Sequence, residues 1–178
     1  DYTYIFCLIL INFFLFIYFH LQWINLQHDV GREMYQAFAI ASGLQLYTEV
    51  GNYFGPIAPI FNANFLKLLK PSVFNFSLIG LLLTIFSSIM TYSIGRHFLN
   101  RILSFSGALL FLSNAAINIG GGSFFMPYTF SHSYGIALSL ICFQLVLKLT
   151  SNSEFKYFLL LGFFNSFLVF TKQEYIIV

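Results

Sequence analysis

The chain is 178 residues long, 58% hydrophobic and 8% charged, with 25 Phe and 11 Tyr. Its mean hydropathy of +0.81 excludes a soluble domain of this size, whose surface could not hide so much apolar area, and points to a bilayer as solvent. A formal net charge of +2 excludes the dense Lys and Arg on which nucleic-acid binding rests.

In chain order, the first apolar run covers 4–24, close to the roughly 20 residues a membrane span needs, with Trp23 as an interfacial aromatic near its end. It lacks a basic leader region and an Ala-x-Ala-like cleavage site, so it reads as a span and not as a signal peptide. A mixed segment, 25–72, follows. It begins with a polar cluster, His28-Asp29-Val30-Gly31-Arg32-Glu33-Met34-Tyr35. The spacing predicts a helix over 31–44 that lies along the membrane interface. Met34, Phe38 and Ala41 share one side, while Arg32, Gln36 and the acids lie elsewhere. Gly43 closes that helix, and Gly55-Pro56 punctuates the loop after it. A second short amphipathic helix is expected over 57–69, with Lys67 and Lys70 near its C-terminus, where they favour the helix dipole.

Further spans are expected over 73–94, 102–117, 133–149 and 157–170. Between them lie a basic connector (95–101), a Gly-rich aromatic loop (118–128) and a polar connector (150–156). Thr171-Lys172-Gln173-Glu174 ends the fifth span and a new apolar stretch begins. The expected fold is all-α, a polytopic transmembrane bundle of about five spans plus the start of a sixth, because backbone in lipid must satisfy its own hydrogen bonds. Cys7 and Cys142 sit inside apolar runs and read as small hydrophobes. The first residue is Asp1 and the last stretch is apolar, as expected for the N-terminal part of a longer protein.

Alternation of the spans places loop one (25–72), loop three (118–132) and loop five (171–174) on one side of the membrane. Asp29, Arg32, Glu33, Glu49, Tyr128, His132, Lys172 and Glu174 all fall there. The short connectors on the other side carry Arg96, Arg101, Lys148 and Lys156, with Glu154 their one acid. Short basic connectors favour the cytoplasm. Each side holds four Lys or Arg, so the charge rule decides little, and the odd loops are placed outside the cytoplasm.

The polar cluster 28–35, then Ala39-Ile40-Ala41-Ser42-Gly43, Leu46-Tyr47 and Gly55-Pro56, resembles the first extracytoplasmic loop of GT-C glycosyltransferases. The likeness is to the protein-mannosyltransferase-like (family 39) and Rgt-like bacterial group. Met126-Pro127-Tyr128 and the segment from Gly162 to Tyr175 extend it. The resemblance implies a membrane enzyme that moves a sugar from a polyprenyl-phosphate carrier to a lipid, glycan or protein acceptor. Its setting would be the bacterial inner membrane, with the active face periplasmic.

Such a transfer needs a base for the acceptor hydroxyl and positive groups for the departing phosphate. Asp29 matches the family's loop-one acid and is the candidate base; its alternative role is the N-cap of the helix that follows. Glu33 is the second candidate catalytic acid, and its alternative place is a solvated helix face. The family's adjacent Asp-Glu pair is here spread over four positions. Lys172, Arg32, His132 and Tyr128 are candidates for the donor phosphate. The plainer alternatives are a snorkelling lysine, a headgroup contact for Arg32 and a local hydrogen bond for His132. Glu174 would orient Lys172 or bind the acceptor. No cofactor is implied with certainty. A divalent metal lacks a two-carboxylate pattern because loop three carries no acid, and His20, His28 and His97 are too scattered for a metal site. Gly120-Gly121-Gly122 has no following Lys-Ser/Thr and is not a phosphate loop. The competing readings are a polytopic transporter and a non-catalytic membrane subunit of a polysaccharide export system.

Overall fold

A computed structural model describes residues 1–22, 29–117, 123–172 and 174. Trp23, His28, the Gly120-Gly121-Gly122 run and the expected start of a sixth span lie outside the described residues. Those described form seven helices and no strand: α1 (Tyr2–Phe19), α2 (Asp29–Ala41), α3 (Ile57–Leu69), α4 (Val73–Phe98), α5 (Arg101–Ala116), α6 (Phe130–Ser151) and α7 (Phe155–Thr171).

Three of these, α1, α4 and α6, are long and apolar enough to cross a membrane, at 18, 26 and 22 residues. With 16 and 17 residues, α5 and α7 are apolar but shorter. At 1.5 Å per residue they run about 25 Å, against a hydrocarbon core of about 30 Å.

Local chemistry sets the helix ends. The Ser72 hydroxyl accepts the Asn75 N–H at 3.0 Å and caps α4, and Asn100 caps α5 through the Leu103 N–H, also at 3.0 Å. At the C-terminus of α2, Leu44 N–H reaches the Ala39 carbonyl and Gly43 N–H the Ile40 carbonyl. That is a Schellman turn, and its φ of 109° at Gly43 suits a residue without Cβ. The expected basic connector is mostly helix. Because α4 runs through Arg96 and His97, only Leu99 and Asn100 separate it from α5.

The central helix is α4, against which α1, α3, α5 and α6 all pack. Its buried residues include a run of small ones, Ser77, Gly80, Thr84, Ser87 and Ser88, which let neighbouring backbones come close. Three of the hydroxyls turn back on their own helix, Thr84 to the Gly80 carbonyl at 2.7 Å, Ser77 to Phe74 and Ser88 to Ile85. Asn12 of α1, fully buried, donates to the Ser88 hydroxyl at 3.1 Å. Large apolar side chains such as Phe6, Phe14, Phe158 and Phe163 point outward, which fits helices apolar enough to cross a membrane.

Helix ends gather as alternation requires. Asp1 accepts the Tyr92 hydroxyl at 2.6 Å and lies 3.3 Å from Arg96 and 3.5 Å from Arg101, joining the start of α1 to the end of α4 and the start of α5. Gln144, late in α6, meets His97 at 2.9 Å at that same end.

At the opposite end α2 and α3 pack on each other and on α4. Met34, Ala37, Ala58, Leu66, Phe76, Ile79, Met126 and Phe130 form one buried cluster, with Phe38 and Ala41 against it. The predicted side of α2 is thus its packing side. The helix also buries two polar residues outside that apolar set, Glu33 and Gln36; the Gln36 amide donates to the Gly51 carbonyl at 2.6 Å and ties the helix to the loop that follows.

Candidate functional site

Two close backbone approaches build the site. Gly80 gives loop three a floor. A Cβ there would meet the Phe125 and Phe124 carbonyl oxygens at 2.3 and 2.4 Å, so only glycine lets that loop lie on α4. Phe125 then packs edge-on against Phe16, with ring centres 5.4 Å apart, and Tyr128 emerges beside α2. Gly55 does the same for loop one. A Cβ would sit 1.7 Å from the Phe170 carbonyl oxygen, and the Gly55 N–H donates to the Thr171 carbonyl at 3.2 Å. Loop one is thereby fastened to the end of α7.

Asp29 is the first residue of α2 and does not stand before the helix as its cap. Its carboxylate instead pairs with Arg32 one turn on, Oδ1 to Nη1 at 2.9 Å, both side chains half-buried. The Tyr128 hydroxyl donates to Asp29, and that hydrogen bond, with the carboxylate's negative charge, pushes the phenol above its usual pKa. The Arg32 guanidinium also lies over the rings of Tyr53 and Phe54, 5.7 and 5.9 Å from their centres. Its Nε has no hydrogen-bond partner among the described residues.

Glu33 does not lie on a solvated face. It is 5% exposed, and its Oε2 accepts the Phe130 N–H at 2.8 Å. That N–H belongs to the first turn of α6, where helix donors have no partner of their own. Burial pushes the Glu33 carboxyl up from its ordinary 4.5; the Thr129 hydroxyl, the Phe130 N–H and Arg32 pull it part of the way back.

Lys172, just past α7, pairs with Glu174 at 2.7 Å; the lysine side chain is 16% exposed and the glutamate 74%. The ammonium lies 5.3 Å from the centre of the Phe54 ring. One aromatic ring therefore carries two cations, Arg32 from loop one and Lys172 from loop five. His132, in the first turn of α6, is exposed at the same end and within electrostatic reach of Lys172 and Glu174.

The expected residues thus fall into two ion-paired knots, Asp29–Arg32–Tyr128 and Lys172–Glu174, bridged by Phe54. His132 stands near the second, and Glu33 lies beneath the first facing inward. Sequence reasoning missed Tyr53, Phe54 and the floor glycine Gly80. The aromatic pair just before Gly55-Pro56 was the available signal, and nothing local marked Gly80. Beside the bridge lies a cavity of about 400 Å³, lined by residues 47 and 52–56 of loop one and by Val169 and Phe170 of α7. Among the described residues no three His, Cys, Asp or Glu side chains group as metal ligands. Comparisons with protein families, with curated proteins and with solved structures find no match to this chain.

Proposed function

We propose that this chain is the N-terminal part of a multi-pass membrane glycosyltransferase of the GT-C type, which moves a sugar from a polyprenyl-phosphate carrier to a lipid, glycan or protein acceptor. In this reading all five apolar helices of span position, α1, α4, α5, α6 and α7, are embedded in a bacterial plasma membrane, and the Asp29 end faces the extracytoplasmic side. The observation that carries the reading is the meeting, at one end of the bundle, of a carboxylate and two cations from loops more than a hundred residues apart.

In the proposed reaction Asp29 takes the proton of the acceptor hydroxyl. That oxygen attacks the anomeric carbon, and the carbon–oxygen bond to the carrier phosphate breaks with its electron pair leaving on the phosphate. Arg32 and Lys172 offset the charge that develops there. Arg32 and Tyr128 hold the Asp29 carboxylate in place, and Glu174 holds Lys172. Glu33, already committed to Phe130, fixes α2 against α6 and so positions Asp29.

The transporter alternative calls for polar groups at mid-depth. Asn12 and Ser88 sit there, but they are uncharged and bonded to one another and to their own helices, which suits packing better than conduction. Neither a transporter nor a non-catalytic subunit needs two ion-paired cations gathered on one aromatic ring. The test is sugar transfer from a polyprenyl-phosphate hexose by the intact protein. Asp29→Asn should lower the rate about 100-fold or more, the usual worth of a positioned base. A wild-type rate in that variant sinks the assignment.

A further inference from the structure

The cavity beside Phe54 is furnished differently from an apolar pocket of the same bundle. That between α3, α6 and α7 is lined by apolar and aromatic side chains such as Phe61, Phe164 and Phe167. The cavity beside Phe54 instead presents the rings of Tyr47, Tyr53 and Phe54 together with the Asn52 amide. Tyr53 is 87% exposed although the Arg32 guanidinium lies 5.7 Å from its ring centre, so most of that ring remains open. Tyr47 is held at a φ of 70°, an uncommon conformation for a bulky side chain. Its N–H donates to the Val50 carbonyl at 2.8 Å and its hydroxyl to the Phe54 carbonyl at 2.9 Å. Asn52 donates to the Phe54 and Gly55 carbonyls at 2.9 and 3.2 Å. Strain kept by so many bonds at one loop marks a shape that is held, and held shapes of this kind cluster at binding sites.

Open aromatic faces with hydrogen-bonding groups at their rims suit one ligand class well. A pyranose ring offers a face of polarised C–H bonds, which meets the negative face of an aromatic ring, and a rim of hydroxyls. A free sugar would use only the aromatic half of this place. Phe54 belongs to the cavity wall and also carries both cations, so a sugar seated here has its anionic substituent directed to Arg32 and Lys172. We propose that Tyr47, Asn52 and Tyr53 form the sugar subsite for a glycosyl phosphate whose phosphate lies between Arg32 and Lys172. This rests on the glycosyl-transfer reading above and adds to it the place of the sugar ring.

The test is equilibrium binding to the intact protein in nanodiscs, with three probes: a panel of hexose 1-phosphates, the matching methyl hexosides, and inorganic phosphate. At least one hexose 1-phosphate should bind more tightly than both of its halves. Tyr53→Ala should weaken it about tenfold, the upper range for an aromatic stack, and leave inorganic phosphate unchanged. Tyr53→Phe should retain the affinity, and Lys172→Met should weaken hexose 1-phosphate and inorganic phosphate alike. If no hexose 1-phosphate binds more tightly than inorganic phosphate, the subsite is refuted. If Tyr53→Ala weakens inorganic phosphate just as much, Tyr53 merely props Arg32 and the proposal is again refuted. Binding as expected, with no transfer from a polyprenyl-phosphate hexose, overturns the enzyme reading and leaves the subsite standing.

Discussion

Asp29 and Glu33 stand one helical turn apart in opposite surroundings, and substitutions should tell them apart. Burial raises Glu33 above 4.5, so the folded protein holds that proton more tightly than the unfolded chain. Its contribution to stability is therefore fully present at pH below 4.5 and is lost as pH rises through the raised value. Glu33→Gln keeps an acceptor for the Phe130 N–H and removes the buried charge; it should flatten that pH dependence and melt no lower than wild type near neutrality. Glu33→Ala strands a buried donor and should lose about 1–3 kcal/mol. Thermal melts across pH decide the matter, and a glutamine variant less stable than the alanine one would refute this account. Tyr128→Phe removes a donor from the Asp29 carboxylate and should lower the rate of sugar transfer. A wild-type rate in that variant would show that this contact does not position Asp29. Asp29 was legible in the sequence because charge is so sparse there. The role of Glu33 was not, because its partner lies 97 residues away and no local spacing encodes such a bond.

At the scale of elements, four glycines make a controlled comparison. Gly80 and Gly55 lie against carbonyl oxygens of Phe125 and Phe170, whereas Gly107 and Gly162 have nothing within 4 Å of an added Cβ. Gly107→Ala and Gly162→Ala should therefore be neutral or gain up to about 1 kcal/mol from better helix propensity. Gly80→Ala and Gly55→Ala must push a backbone aside and should both destabilise the protein and depress any activity of the site. Melting temperatures of the four variants test the two close approaches, and equal tolerance at all four positions would discredit them. The helices themselves were readable from apolar periodicity and punctuation. The second loop helix falls on 57–69 as expected, and Gly43 ends α2. Docking was less readable, since α2 also buries Glu33 and Gln36 and a hydrophobic pattern cannot announce a buried polar residue.

For the whole molecule, alternation of helix direction was the strongest inference the sequence allowed, and contacts at both ends of the bundle agree with it. Depth in the bilayer is a separate matter, because α5 and α7 are shorter than a full crossing. Exposed Ser42 and Ser153 lie at opposite ends. With Cys7 and Cys142 first replaced, single cysteines at 42 and 153 should react with an impermeant maleimide from opposite sides of sealed vesicles. Labelling of both from one side breaks the five-span arrangement.

The fastening of Gly55 to Thr171 has a consequence for how the protein is made. The two residues are held together, yet most of the chain must be synthesised between them, and contacts of such long sequence separation form late. During synthesis Asp29 and Arg32 emerge early, while the Phe170 and Thr171 backbone that closes loop one and the lysine that completes the cation pair arrive only with the end of α7. The nascent chain thus keeps this end of the bundle open until α7 is made. Closure of the cavity then reports that α7 has found its place.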